Sequence, residues 1–237
     1  MGRNLDIHII AKLRNLHCLS LLQEKSLLRI AEVTSERLVF RDEVLFEEGE
    51  NVGYLYMVCT GRVKLFKVSP EGRELIIRIA GPGDLFGCES LFREDRFLMS
   101  AVALEESEII LMPAEIFKEV FISETGPAGL KLLESLSTCI QQLIGLVDDL
   151  AFKDVELRIL DRLYNLSCDS SVSETVTIRL THQDIASMVG TVREVVSRTM
   201  SKLKRKGVVV DSTVRGFRVH RERLQELLEQ KYSYIKP

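Results

Sequence analysis

Three periods of apolar and polar positions succeed one another along this 237-residue chain. Over residues 9–35, Leu16, Leu19, Leu22, Leu27, Ile30 and Ala31 recur at helical spacing with charges between them. From Leu38 the period shortens. The runs VLFEEGE, LYMVCTGRVKLFKV, ELIIRIAGPGDLFG and LMSAVALEESEIILMP alternate with turns at Gly49, Gly61, Gly72, Gly83 and Gly87. Short apolar runs with turns this frequent predict an antiparallel sandwich or barrel. Ser69-Pro70-Glu71-Gly72 has a mechanism for turning: Pro sets φ and Gly accepts positive φ.

Near Ala114 the helical period returns. Pro113 suits a helix start, Ala114–Ser123 reads as a short helix, and Gly126-Pro127 breaks it. Beyond the break, Leu133, Leu136, Ile140, Leu143, Val147 and Leu150 step alternately by three and four, a heptad seam. A seam this strict after a β domain predicts a partner helix, hence a homodimer. A further helix is expected over 153–168, a polar loop over Cys168–Glu174 and a strand over Thr175–Leu180.

The segment THQDIASMVGTVREVVSRTMSKLKRKG, Thr181 to Gly207, predicts two helices crossing at a tight turn. Thr181 can cap the first helix, whose Ile185 and Ala186 face inward, and Gly190 supplies the turn. Val192, Val195, Val196, Met200 and Leu203 form the apolar face of the second helix. Arg193, Glu194, Ser197 and Arg198 fall on its opposite face. Those are groups that read a major groove: Arg forks onto guanine O6/N7, and Glu accepts from cytosine N4. Lys202, Lys204, Arg205 and Lys206 continue a positive end toward phosphates. VVVDSTVRGFRVH then reads as a β-hairpin wing, with Arg215 and Arg218 placed for the DNA backbone. Thr181, Gln183 and Thr191 complete the candidate DNA-contacting set.

Charge sharpens this picture. Residues 153–237 hold 16 Lys+Arg against 11 Asp+Glu, a net +5, whereas residues 1–152 carry −8 of the total −3. An acidic front and a basic back suit a sensing module joined to one that touches an anionic polymer. Cys18, Cys59, Cys88, Cys139 and Cys168 are odd in number and far apart, which predicts reduced thiols in a cytoplasmic protein rather than a disulfide framework or a zinc site. No apolar run is long enough for a membrane span, and the first residues lack a secretory cleavage pattern. G-x-S-x-G, a Walker loop, H-E-x-x-H and telling carboxylate pairs are all missing, so the chain does not read as an enzyme.

On GDLFG at Gly83–Gly87, DLAFKDVELRIL at Asp149–Leu160 and QDIASMVGTVREVVSR at Gln183–Arg198, the chain resembles the CRP/FNR family of bacterial transcription regulators. The resemblance implies an α+β fold. An N-terminal jelly-roll β-sandwich of the cyclic-nucleotide-binding type would occupy residues 1–125, a dimerisation helix 126–152, and a winged helix-turn-helix 153–237. It implies that Arg193, Glu194 and Arg198 occupy the base-reading positions of the cyclic-AMP receptor protein, whose half-site looks like TGTGA. The Glu-x-x-Ser-Arg string also matches the FNR branch, whose half-site looks like TTGAT; Arg193 favours TGTGA, since another Arg calls for another guanine. The implied partners are a palindromic DNA operator, a second copy of the chain, and RNA polymerase if the protein activates.

For the effector, the resemblance implies a pocket around Gly87, Cys88, Glu89, Ser90, Ser100, Cys139 and Leu143. Gly87-Cys88 stands where the cyclic-nucleotide branch has Gly-Glu, and Met99-Ser100 where it has Arg-Ser. Leu143 and Ile144 replace the small polar residues that reach the base. These departures argue against cyclic AMP, whose phosphate would lack its Arg. Cys18 alone at the N-terminus argues against an iron–sulfur cluster. The carbon-monoxide branch has a His within residues 86–90, and none stands here. A haem-based nitric oxide or redox sensor stays open, with His8, His17, Cys59, Cys88 and Cys139 as candidate ligands, because the apolar helix side suits an apolar or haem-like ligand. The rival reading is a ligand-binding regulatory module that never contacts DNA.

Overall fold

A computed structural model describes residues 2–14, 16, 19–91, 95–123, 127–168, 174–213 and 216–235. The chain forms two compact units: Met1–Lys67 with Ile77–Ile144, and Val68–Ile76 with Gly145–Pro237.

In the first unit, the stretch expected to be helical over 9–35 is two helices, α1 (Gly2–Arg14) and α2 (Glu24–Ala31). Between them the chain tightens: Leu16, Leu19 and Leu22 each donate their N–H to the carbonyl three residues back, at 3.0–3.1 Å. Their spacing of three is thus a 3-10-like turn, which i+3 repeats serve as well as an α-helix. Eight strands follow: β1 (Ser35–Val39), β2 (Val44–Phe46), β3 (Tyr54–Thr60), β4 (Val63–Val68), β5 (Glu74–Ala80), β6 (Leu85–Phe86), β7 (Ser100–Ala103) and β8 (Ser107–Pro113). They form two four-stranded sheets, β1-β8-β3-β6 and β2-β7-β4-β5. The pairing of β3 with β8 is antiparallel, Tyr56 opposite Leu111 and Met57 opposite Ile110.

The run LYMVC in β3 does not alternate because both faces of that strand are covered. Tyr56, Val58 and Ile109 join an inner core with Phe46, Phe86 and Phe97. Phe46 stacks on Phe97 at 3.7 Å and Tyr56 on Phe86 at 5.4 Å between ring centroids. Leu55, Met57, Ile110 and Met112 face the other way, into a cluster with Leu13, Leu16, Leu27, Ile30 and Phe117. Phe117 comes from α3 (Ala114–Ser123), and α4 (Pro127–Phe152) adds Leu132. A sheet strand buried on both faces reads as a continuous apolar run, whatever its pairing.

The second unit contains the end of α4, then α5 (Val155–Cys168), β9 (Thr175–Ile178), α6 (His182–Val189), α7 (Arg193–Arg205), β10 (Val209–Thr213), β11 (Gly216–His220) and α8 (Arg221–Ile235). The strands pair in the order β10-β11-β9. Asp154 ends the break between α4 and α5 by accepting the Leu157 N–H at 2.7 Å, an N-cap.

Candidate nucleic-acid interface and effector cavity

The second unit presents the polar helix face. Thr181 caps α6 in a reciprocal box. Its hydroxyl accepts from the Asp184 N–H at 3.1 Å, and the Asp184 carboxylate accepts the Thr181 N–H at 2.8 Å. The hydroxyl also donates to that carboxylate at 2.7 Å, so the cap expected from sequence forms and the hydroxyl proton that a DNA contact by Thr181 would donate is already used within it. Gly190 stops α6 in the left-handed region, φ 65°, where a Cβ would lie 2.8 Å from Leu150. Thr191, half-buried, returns its N–H to the Ala186 carbonyl at 2.9 Å.

The geometry of α7 follows. Val196, Met200 and Leu203 are buried, which fixes the helix rotation. Arg193, Glu194 and Arg198 are exposed and Ser197 is half-buried on the other side. Val192 offers no side-chain cap, leaving the first N–H groups of α7 open to an anion. Gln183 is exposed and lies 3.5 Å from the Ser187 hydroxyl. His182 was not singled out in the sequence; burial, and then the Arg193 charge, hold it below its ordinary value of 6.5.

The basic candidates differ in their surroundings. Lys202 is bonded to both carboxylate oxygens of Glu156, at 3.0 and 2.9 Å, so its charge is already matched within the unit. Burial works against the Glu156 charge, but Lys202 and Lys231 outweigh it and hold the carboxyl below its usual range. Lys204, Arg205 and Lys206 are exposed. Arg218 is half-exposed on β11, 4.0 Å from Asp211, and Arg215 lies outside the described residues.

On α4 the expected seam is largely solvent-facing: Leu133 is 62% exposed, Ile140 57%, Val147 63%, and Leu143 and Leu150 are exposed with Leu130 and Ile144. Leu136 departs from it, packing partly against the helical core of the first unit.

Within the first unit is a cavity of about 230 Å³ lined by Leu16, Arg78, Gly83, Asp84, Leu85, Cys88, Ser135, Leu136, Thr138, Cys139 and Gln142. A second of about 40 Å³ adjoins Arg78, Glu89, Cys139, Gln142 and Leu143. Of the expected pocket, Cys88, Glu89, Cys139 and Leu143 therefore line a cavity. Gly87, Ser90 and Ser100 line neither. Ser90 is buried, Ser100 holds the Glu48 N–H at 3.0 Å, and Gly87 (φ 87°) turns the backbone where a Cβ would lie 3.2 Å from Phe97.

Arg78 was missed by the sequence reading. Its guanidinium is 15% exposed, donates to the Cys139 sulfur at 3.2 Å and the Leu85 carbonyl at 3.3 Å, and lies 3.4 Å from Asp84. The signal was present as one charge inside the apolar strand ELIIRIA. Burial pushes the Cys139 thiol up, opposed by Arg78, and burial likewise pushes up Cys59, opposed by Lys12. Both therefore stand here as neutral thiols. His8 is exposed on α1, and His17 and Cys18 lie outside the described residues. Among the described residues the cavity wall holds no histidine, and its volume falls below the roughly 300–1,000 Å³ of drug-sized sites, so these lining residues do not fit haem. Among the described residues no helix is long and apolar enough to cross a membrane.

Comparison with known proteins bears on both sites. Residues 36–124 match the cyclic nucleotide-binding domain family, and residues 157–227 the Crp-like helix-turn-helix domain family. The cyclic AMP receptor protein of Thermus thermophilus is 31% identical over 176 residues, covering 73% of this chain and 78% of its own. A CRP-like cAMP-activated global transcriptional regulator of Mycobacterium tuberculosis is 29% identical over 171 residues, 70% and 76% of the two chains. A solved CRP/FNR-family transcriptional regulator from Thermus thermophilus superposes with a TM-score of 0.68 at 25% identity, covering 82% of this chain and 98% of that one.

Proposed function

Because the chain belongs to the CRP/FNR family of DNA-binding transcription regulators and is not an enzyme, we propose that it works as a homodimer reading an inverted repeat of TGTGA-like half-sites. The observation that carries this is the face of α7: Arg193, Glu194 and Arg198 stand exposed while Val196, at 0% exposure, anchors the opposite side. Arg193 and Arg198 take guanine edges and Glu194 takes cytosine. The apolar stripe on α4 supports pairing with a second copy, and an inverted repeat calls for two α7 helices about one DNA turn apart. If the outcome is activation, RNA polymerase is the further partner.

The effector in this reading is not cyclic AMP. Met99 stands where the resemblance places the phosphate-binding Arg, and Cys88 where it places the Glu. Occupancy of the cavity shifts the dimer between arrangements, which requires the effector to bind one arrangement better than the other. A gel-shift titration with a duplex carrying two inverted TGTGA half-sites tests the proposal. Tight, salt-dependent binding that is lost in Arg193→Ala with Arg198→Ala supports it. Unchanged binding in that double variant would favour a regulatory module whose α7 never touches DNA.

A further inference from the structure

The larger cavity of the first unit holds one cation whose partners are all poor. Arg78 meets a thiol sulfur at 3.2 Å, a carbonyl at 3.3 Å and the Asp84 carboxylate at 3.4 Å. Charge-assisted N–H···O bonds run at about 2.7–2.9 Å, and a thiol is a weak acceptor. A guanidinium only 15% exposed gains most from a ligand carboxylate drawn closer than any of these.

A simple anion would nonetheless meet Asp84, and Glu89 across the neighbouring wall. The Asp84 carboxylate is turned partly outward, 47% exposed, with its other oxygen accepting the Gly81 N–H at 2.8 Å. Cation and anion thus stand side by side on one wall, 3.4 Å apart. An α-amino acid carries the complementary pair. Its ammonium nitrogen and nearer carboxylate oxygen are held about 3 Å apart by covalent geometry. Leu16, Leu85 and Leu136 offer an apolar surface to a side chain, and a cavity of about 230 Å³ takes a ligand smaller than a nucleotide.

We infer that this cavity binds a free α-amino acid with an apolar side chain, its carboxylate on Arg78 and its ammonium on Asp84. The inference rests on the regulatory reading above and supplies the effector class for it. The thiols of Cys88 and Cys139 act as neutral wall atoms, with Gln142 on the same wall; the Ser135 and Thr138 hydroxyls donate to the Lys131 and Glu134 carbonyls at 3.1 and 3.0 Å.

The test is thermal unfolding and calorimetric titration of the full chain with L-leucine and L-methionine. 4-Methylpentanoate, which lacks the ammonium, and 3-methylbutylamine, which lacks the carboxylate, serve as the paired probes. At hundredfold excess over Kd the amino acid is expected to raise Tm by about 5–10 °C, and neither truncated probe to do so. Arg78→Gln and Asp84→Asn are each expected to abolish the shift, and with it any response of palindrome binding to the amino acid. An equal shift with 4-methylpentanoate overturns the inference, as does no shift with either amino acid or a shift retained in Arg78→Gln. A chain that binds the palindrome but ignores amino acids loses only this inference; a chain that binds no palindrome loses the regulatory reading whatever the titration gives.

Discussion

Arg193 and Arg198 stand exposed on α7, whereas Lys202 on the same helix is already held by Glu156. That contrast assigns different duties to basic side chains on one helix. Arg198→Ala is expected to weaken palindrome binding by about 1–3 kcal/mol and to relax selection at one base pair, read by competition gel shift. Lys202→Ala is expected to leave base preference alone and to lower Tm slightly, because it leaves Glu156 with Lys231 as its remaining cation. His182 adds a pH dependence. Its folded pKa lies below the ordinary 6.5, so the unfolded chain takes the proton first and stability falls as pH drops through 6.5 toward the folded value. His182→Gln should flatten that part of the curve when urea midpoints are compared at pH 7.5 and 5.5, a pair chosen to bracket the ordinary value given for that group.

At the scale of elements, the junction of α6 and α7 depends on one residue. Gly190 sits at φ 65° with Leu150 where a Cβ would go, so Gly190→Ala combines strain with a clash. It should cost about 1 kcal/mol or more, seen as a lower urea midpoint with unchanged m-value. Thr181→Ala removes the capping box of α6 and should cost about 1 kcal/mol by the same measurement. Those features were legible beforehand because they are local: a Thr three residues before an Asp, a Gly between two apolar periods. The split of 9–35 into α1 and α2 was not, since a spacing of three serves a tight turn equally well. Nor was the role of Leu136, whose place in the heptad is right while its surroundings turn it toward the core. Arg78 escaped for a third reason. A charge in a strand declares itself only once Asp84, beside it on the same wall, and Cys139, from α4, are brought to it by folding.

For the whole molecule, the proposed dimer rests on α4. Leu133, Ile140 and Val147 are each more than half exposed, so polar substitutes there leave the folded protomer intact. Leu133→Glu with Ile140→Glu is expected to give a monomer by sedimentation, with Tm little changed and palindrome affinity reduced by orders of magnitude, because two half-sites are no longer engaged together. Fold and family could be read from the order of parts along the chain, since glycine-punctuated strands, a heptad helix and a capped helical pair each leave a separate period. The proposed effector chemistry could not, because it brings β5 and the loop before β6 together with α4, whose Cys139 is 61 residues from Arg78. The central claim is that the exposed face of α7, doubled by a second copy, selects DNA sequence. Its most direct test is selection from a random duplex pool at physiological salt, with the chain and its Arg193→Ala, Arg198→Ala variant run in parallel. The account predicts an enriched inverted repeat with TGTGA-like halves for the chain and none for the variant. A pool that enriches no inverted repeat, or enriches the same one for both proteins, would contradict it.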